Sequence, residues 1–150
     1  MIRVLVPLAL FSNGIAAGVM LSTVIGVAPM TLALSYTRYV QTIRFLWRRY
    51  DPLMPALNGA TVVCDVLLAF VAPTGSLFGI AAVLLAAVMV VSVTKNHPIN
   101  KYVTSLDPDA CPGDWAERDP RVRWRNWNLV RTLLVLLAFA ANVAAAVTLL

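Results

Sequence analysis

Residues 66–94 read VLLAFVAPTGSLFGIAAVLLAAVMVVSVT and carry no charged side chain. The stretch is interrupted once, at Ala72-Pro73-Thr74-Gly75-Ser76, where a Pro followed closely by a Gly is typical of a turn. A helix that crosses a membrane needs roughly 20 predominantly apolar residues. The stretch therefore predicts the end of one spanning helix, a tight turn, and a second spanning helix over about Leu77 to Val93.

Further uncharged stretches extend this prediction to four spanning helices. No Asp, Glu, Lys or Arg occurs between Arg3 and Arg38, between Asp51 and Asp65, or after Arg131. Each stretch is long enough for one apolar helix when the residues after Asp65 are included. The remaining spans are predicted over about Leu8 to Leu34, Pro55 to Val71 and Asn128 to Leu150.

The composition places the chain in the same class. Hydrophobic residues make up 60% of the 150 positions and charged residues 13%, whereas a soluble domain has about 25% charged residues. Short connections favour antiparallel neighbours. We therefore predict a single domain over residues 1–150 of the all-α class, an integral membrane four-helix up-down bundle. Its one large polar loop, residues 94–126, joins helices three and four.

The distribution of basic residues predicts an orientation. The net charge is +5, and eleven of the twelve Lys and Arg residues flank loops one and three, while only Arg3 lies at the other end. Basic residues concentrate on the cytoplasmic side of membrane proteins. We expect both loops in the cytoplasm and both termini outside, in a plasma (inner) membrane. The lipid bilayer accounts for the charge pattern, and nucleic acid is not expected as a partner.

Two connecting segments contain prolines that bear on the helix boundaries. The first loop, Ser35 to Leu53, is amphipathic at helical spacing, which predicts an interfacial helix or an extension of the first span. Asp51-Pro52 is then expected to turn the chain into the second span. Pro98, which has no backbone N–H, is expected to end the third helix.

Small residues recur every fourth position on the first helix, at Gly14, Gly18, Ser22 and Gly26. Such a row allows another helix to approach closely in a membrane. It predicts tight packing within the bundle, or a homo-oligomer that forms through this face.

Polar residues within the spans form a first candidate site. Asn58, Thr61 and Asp65 share one helix face because they are spaced by three and four residues. Asn142 and Asn13 are predicted at about the depth of Asp65, on two other helices. An intramembrane carboxyl should face the bundle interior, so we expect Asp65 within hydrogen-bonding reach of Asn142 or Asn13. The group either fixes helix register or binds substrate or protons.

A second group of polar residues is predicted at the cytoplasmic mouth of the bundle. Asn96-His97-Pro98-Ile99-Asn100 directly follows the third span and contains the one histidine of the chain. Trp124, Asn128 and Arg131 share one face at the start of the fourth helix, and Tyr36 follows the first span. A guanidinium just inside a span needs an acceptor unless it reaches the interface.

These two segments carry a resemblance to a known family. The Asn-His-Pro-Ile-Asn motif of residues 96–100, followed by Trp-Arg-Asn-Trp-Asn-Leu-Val-Arg at residues 124–131, resembles the anthrone-oxygenase-like family. Phe11, Gly14, Gly18, Pro29 and Tyr39-Val40-Gln41 are similar too, so the resemblance covers nearly the whole chain. His97 departs from the family, which typically carries a small or apolar residue at that position.

The resemblance implies a four-helix membrane protein, and its named members oxidise polyketide anthrones to anthraquinones. It implies here an oxygenase or oxidase for a small hydrophobic, phenolic or polyketide-like substrate. Such chemistry needs a base and hydrogen-bond donors for an enolate. The predicted catalytic residues are His97 as base with Asn100, Asn128 and Arg131 as the cradle. The predicted substrate-binding residues are Tyr36, Trp124, Asp65, Asn142 and Asn13.

No cofactor is predicted, and O₂ is the expected co-substrate. One His and no Glu within a span are few ligands for haem or mononuclear iron, although a metal-dependent oxidase with an unusual ligand set stays an alternative. The other alternative is a bundle without enzymatic activity, which stabilises a membrane partner or carries a small hydrophobic molecule.

Overall fold

The computed structural model describes residues 1–149, and these residues form helices and connecting turns without any strand. Four helical spans are long and apolar enough to cross a membrane: Ile2–Ala33, Tyr36–Val71, Gly75–Ser105 and Trp115–Val147. The first and third spans each pack against the second and the fourth. This arrangement confirms the predicted all-α membrane bundle of four antiparallel helices.

Seven α-helices make up the four spans. The first span contains α1 (Ile2–Ser22) and α2 (Ala28–Ala33), and the second is the single helix α3 (Tyr36–Val71). The third contains α4 (Gly75–Val91) and α5 (His97–Ser105), and the fourth contains α6 (Trp115–Arg118) and α7 (Arg121–Val147). We call the end of the bundle with the Leu34–Ser35 turn and the 106–120 loop the basic end, and the other the opposite end.

The second helix is longer than its sequence predicts. Helix α3 runs without interruption through Pro52 and Pro55, so the chain does not turn at Asp51-Pro52 and that prediction was wrong. The turn from the first span comes earlier, where the backbone becomes extended at Leu34 and Ser35. Each proline leaves one backbone carbonyl of the preceding turn without its helical hydrogen bond. The residues that carry these carbonyls are exposed, on the part of α3 nearer the basic end. The helix therefore tolerates both prolines.

The third span also continues past its proline. A π-helical segment, Ser92–Asn96, precedes α5, and Pro98 lies in the first turn of that helix. The first span repeats this arrangement, with the π-helical segment Thr23–Val27 directly before α2 and its Pro29. A π turn widens the helix, and proline is tolerated in the first turn that follows because the N–H is not required there. The expectation that Pro98 ends the helix was therefore wrong.

The described helices pack around three apolar clusters along the bundle, and the third of them, which contains Leu68 and Phe78, lies toward the opposite end. The membrane core contains small residues and long aliphatic side chains of all four spans, among them Ala16, Met20, Leu85 and Val135. At the basic end, extensions of the helices enclose a second apolar cluster, which we call the cap: Ala28, Tyr39, Val40, Ile43, Ile99, Val103 and Trp124. The predicted loops one and three are thus largely helical and packed.

Two arginine side chains donate hydrogen bonds to backbone carbonyls at helix ends within the cap. Arg121 donates to the carbonyl of Leu34 over 2.8 Å at the end of the first span. Arg44 donates from Nε to the Thr104 carbonyl over 3.1 Å and from Nη2 to the Leu106 carbonyl. Cations are favourable at helix C-termini because the last carbonyls lack helical partners. These contacts hold the cap on the bundle.

The row of small residues on the first span lies mostly on the outside. A Cβ at Gly14 would lie 3.4 Å from the Phe139 ring, whereas a Cβ at Gly18 or Gly26 would have no neighbour within 4 Å. Gly18, Ser22 and Gly26 are exposed in the monomer. Contact between copies through this face stays a prediction.

Candidate functional site

A partly open cavity of about 170 Å³ lies between the cap and the membrane core. Its walls come from all four spans and from both π-helical segments, and they are mainly apolar and aromatic: Val19, Met20, Val27, Ile43, Leu46, Trp47, Met54, Met89 and Trp124. A dry engineered cavity of roughly 150 Å³ is known to accept benzene. The enclosed part therefore fits about one aromatic ring, and a larger ligand can extend through the open side.

Arg131 is the one Arg or Lys side chain in the cavity wall of residues 1–149. Its Nε is buried without an acceptor, and within the described chain its guanidinium makes neither a hydrogen bond nor an ion pair. An arginine at membrane depth is expensive unless it is paired. The guanidinium presents several donors in one plane, so it is suited to an oxygen acceptor supplied by a ligand.

Two asparagines in the wall have buried polar atoms without partners. Asn96 belongs to the π-helical segment before α5, is 2% exposed, and has neither amide atom hydrogen-bonded. Asn58 on α3 donates from Nδ2 to the Met54 carbonyl over 2.9 Å, but its buried Oδ1 has no donor. Buried polar groups are normally hydrogen-bonded, so these exceptions indicate a binding surface.

A hydrogen-bond chain positions the polar residues on the cap side of the cavity. The indole Nε1 of Trp124 donates to Asn100 Oδ1 over 2.8 Å, and Asn128 Nδ2 donates to the Trp124 backbone carbonyl over 2.8 Å. These bonds leave Asn100 Nδ2 and Asn128 Oδ1 available. Trp124 thus fixes the orientation of both asparagines against the cavity.

His97 lies at the mouth of the cavity. The residue is exposed, and its ring packs against Trp47 at a centroid distance of 5.1 Å and an interplanar angle of 53°. Asp51, one helical turn after Trp47 on α3, is the only lining residue of the described chain with a carboxyl group. The imidazole is therefore within reach of both the cavity and solvent.

The structure brings together five of the predicted site residues in this one wall: His97, Asn100, Trp124, Asn128 and Arg131. Tyr36 does not line the cavity. Its hydroxyl donates to the Asp107 carbonyl over 2.7 Å, and its ring stacks edge-on against Trp115. Tyr36 therefore belongs to the cap, because α3 begins at this residue and directs it toward the 106–120 loop.

Of the intramembrane group, Asp65, Asn142 and Asn13 do not line the cavity. Asn142 Nδ2 donates to Asp65 Oδ2 over 3.1 Å, which confirms the predicted contact between these residues. Asn13 is fully buried but hydrogen-bonds to neither of them. The matched depth of Asp65 and Asn142 was thus a sufficient signal, whereas that of Asn13 was not.

Among the wall residues that the sequence prediction missed are three with amide or carboxyl groups. Asn58 was assigned to the intramembrane group, Asn96 was part of a motif without a role, and Asp51 was assigned to a turn. For Asp51 and Asn58 the signal was present in the helical spacing with Trp47, because the three share one face once α3 is continuous.

Few metal-ligand residues lie near the cavity. Within residues 1–149, no three His, Cys, Asp or Glu side chains are close enough to hold a metal ion together. The cavity wall contributes His97 and Asp51 only. A metal bound here would depend on amide or water oxygens for its remaining ligands.

Comparison with known proteins gives one match. The family model described as anthrone oxygenase matches residues 20–141. No curated protein and no solved structure matches the chain. The matched range includes every residue of the cavity wall except Val19.

Proposed function

The chain belongs to the anthrone oxygenase family, and we propose that it is a membrane oxygenase for a small hydrophobic, phenolic substrate that binds in the cavity under the cap. The observation that carries the proposal is the guanidinium of Arg131, which lines an apolar cavity without a partner. A substrate oxygen that becomes negatively charged during the reaction would supply the missing acceptor.

The proposed reaction converts a ring CH₂ group, which is conjugated with a carbonyl through the aromatic rings of the substrate, into a ketone. A base removes one proton, and the resulting carbanion shares its charge with the carbonyl oxygen as an enolate. The carbanion adds to O₂ with formation of a C–O bond, and loss of water leaves the ketone, so that R₂CH₂ and O₂ give R₂C=O and H₂O. Arg131, Asn100 and Asn128 would hold the enolate oxygen.

His97 is the proposed base. Imidazole is the commonest general base in enzymes. The ring at the mouth can receive a proton from a substrate carbon and pass it to water. The apolar wall favours a hydrophobic substrate and O₂, which both partition into the bilayer.

The test is turnover of an anthrone by purified protein in nanodiscs, measured as O₂ consumption and quinone formation. Arg131→Lys keeps the positive charge but loses the planar set of donors, so turnover should fall about 10- to 100-fold. Arg123→Lys is the matched control, because Arg123 is exposed at the start of the same helix and outside the cavity. It should keep full turnover.

Wild-type turnover in both Arg131→Lys and Asn128→Ala, at normal abundance, would place the site elsewhere in the bundle. An anthrone that binds but is recovered unchanged after incubation in air would favour the alternative of a carrier without enzymatic activity. Elemental analysis of the active protein tests the cofactor-free reaction. Stoichiometric iron or copper would replace it with a metal-dependent oxidase.

The proposed orientation places the basic end in the cytoplasm of a plasma (inner) membrane, because eleven of the twelve basic residues lie there. A membrane-impermeant thiol reagent should label Ser76→Cys in intact cells. Native Cys111, which is exposed in the 106–120 loop, should react only after permeabilisation. Labelling of Cys111 in intact cells would reverse the orientation.

A further inference from the structure

A row of buried polar side chains leads from the cavity into the membrane core. Asn58, Thr61 and Asp65 lie on one face of α3 and are 3%, 0% and 0% exposed. Asn58 is part of the cavity wall, and Asp65 lies seven residues, or roughly 10 Å, further toward the opposite end. Polar residues in a membrane core are costly, so three of them on one buried helix face require an explanation.

The middle of the row contains a hydroxyl with two acceptors. Thr61 Oγ1 lies 3.0 Å from Ser12 Oγ and 2.8 Å from the Leu57 carbonyl oxygen, and a hydroxyl can donate its single proton to only one of them at a time. Asn13, next in the chain to Ser12, is fully buried with both amide atoms unpartnered. The hydroxyl and amide groups in and beside the row can therefore rearrange their hydrogen bonds.

The row ends at a carboxyl without a cation. Asp65 Oδ2 accepts the bond from Asn142, while Asp65 Oδ1 is buried without a partner. Arg131 precedes Asn142 by eleven residues on α7, or roughly 16 Å. Arg3 lies near the opposite end, and α4 carries no charged residue. A carboxylate without a counter-ion is unfavourable here, so Asp65 is expected to hold a proton.

An apolar layer closes the row on its far side. Beyond Asp65, toward the opposite end, the spans pack through apolar residues that include Ala9, Leu68, Phe78 and Ala145. These four residues are fully buried. The polar row therefore has one open side, which is the cavity.

We propose that Asp65 is a proton-binding site that exchanges its proton with the cavity along Asn58 and Thr61, and not with the opposite end of the bundle. The carboxyl gives its proton to a water or an oxygen anion in the cavity and becomes a carboxylate. It regains a proton by the same route. The exchange requires no substrate, so it does not depend on the proposed oxygenation.

The experiment is infrared spectroscopy of the full chain in nanodiscs, transferred from H₂O to D₂O without substrate. The carbonyl stretch of a protonated carboxyl should shift on deuteration, and Asp65→Asn should remove this band. Thr61→Val and Asn58→Leu should slow the shift roughly tenfold or more, because each leaves an apolar step in the row. The control is Thr132→Val, which removes a hydroxyl of the same core that bonds to the Met20 carbonyl.

The control should exchange at the wild-type rate. Two results would overturn the proposal: no carboxyl band that disappears in Asp65→Asn, or equal exchange rates in the wild type, Thr61→Val and Asn58→Leu. In the second case the contact between Asp65 and Asn142 serves only to fix helix register. All variants are compared as monodisperse protein with wild-type helix content. The failure of Arg131→Lys to lower turnover would leave these outcomes unaffected.

Discussion

The cavity and the contact between Asp65 and Asn142 are two polar regions in one apolar bundle, and they differ in what their polar groups face. In the cavity, Arg131 and Asn96 have unpaired polar atoms and belong to the wall of an open space. In the core, Asp65 and Asn142 meet each other over 3.1 Å between packed helices, although the Oδ1 atom of each is buried without a partner in the described chain. Unpaired buried groups lower stability, whereas a buried bond between two helices opposes their separation. The first region is suited to binding and the second to holding the helices in register.

The largest change in stability is expected for substitutions of Asp65 in the core. Asp65→Leu should lower the free energy of unfolding by about 2–3 kcal/mol, because it leaves the amide of Asn142 without its acceptor. Asp65→Asn keeps hydrogen-bonding capacity and should cost less than about 1 kcal/mol. Equilibrium unfolding in mixed micelles measures both values. Equal losses in the two variants would mean that the contact does not hold the helices together.

Substitution in the cavity should change stability in the opposite direction. Arg131→Met removes a buried group without a partner and should raise the free energy of unfolding by about 1–2 kcal/mol. The same variant should lose turnover, since the enolate oxygen loses its donors. Unfolding and activity are measured on one preparation. A destabilised Arg131→Met protein would show that the arginine supports the fold through contacts other than those described.

The smallest expected effect lies between the two regions. Ser12→Ala removes the hydroxyl that Thr61 contacts over 3.0 Å and should cost about 0.6 kcal/mol, the average for a hydrogen bond between membrane helices. Thr61 retains the Leu57 carbonyl as an acceptor. A loss of unfolding free energy as large as that of Asp65→Leu would show that the whole row, and not only Asp65, holds the helices in register.

The spans and the partner of Asp65 were predictable from the sequence because each depends on a simple quantity. Uncharged length identifies a span, and counting residues from the helix ends placed Asp65 and Asn142 at the same depth. Five residues of the cavity wall were predicted by their position near the helix ends. The position of Tyr36 was predicted wrongly because Tyr36 was placed at the end of the first span. In the structure it begins the second span, after the turn at Ser35.

The cap and the rest of the cavity wall were not predictable by these rules. Prolines normally interrupt helices. Here Pro52 is tolerated because the carbonyls that lose a hydrogen bond are exposed, and Pro98 is tolerated because a π turn precedes it. A π turn depends on tertiary packing and has no local sequence signal of the kind that marks a cap or a β-turn. Asn96 belongs to such a turn.

The two π-helical segments, Thr23–Val27 and Ser92–Asn96, have a consequence for how this protein tolerates insertions and deletions. A π turn amounts to one residue added to an α-helix. Deleting one residue within 92–96 should thus leave a regular helix whose faces beyond the deletion are kept, because a π turn holds one residue more than an α turn. Asn100 would stay in the cavity wall, whereas the same deletion within the regular helix α4 would rotate it by roughly 100°, the angle per residue. The two π-helical segments therefore mark the positions at which the first and third spans should tolerate the loss of one residue.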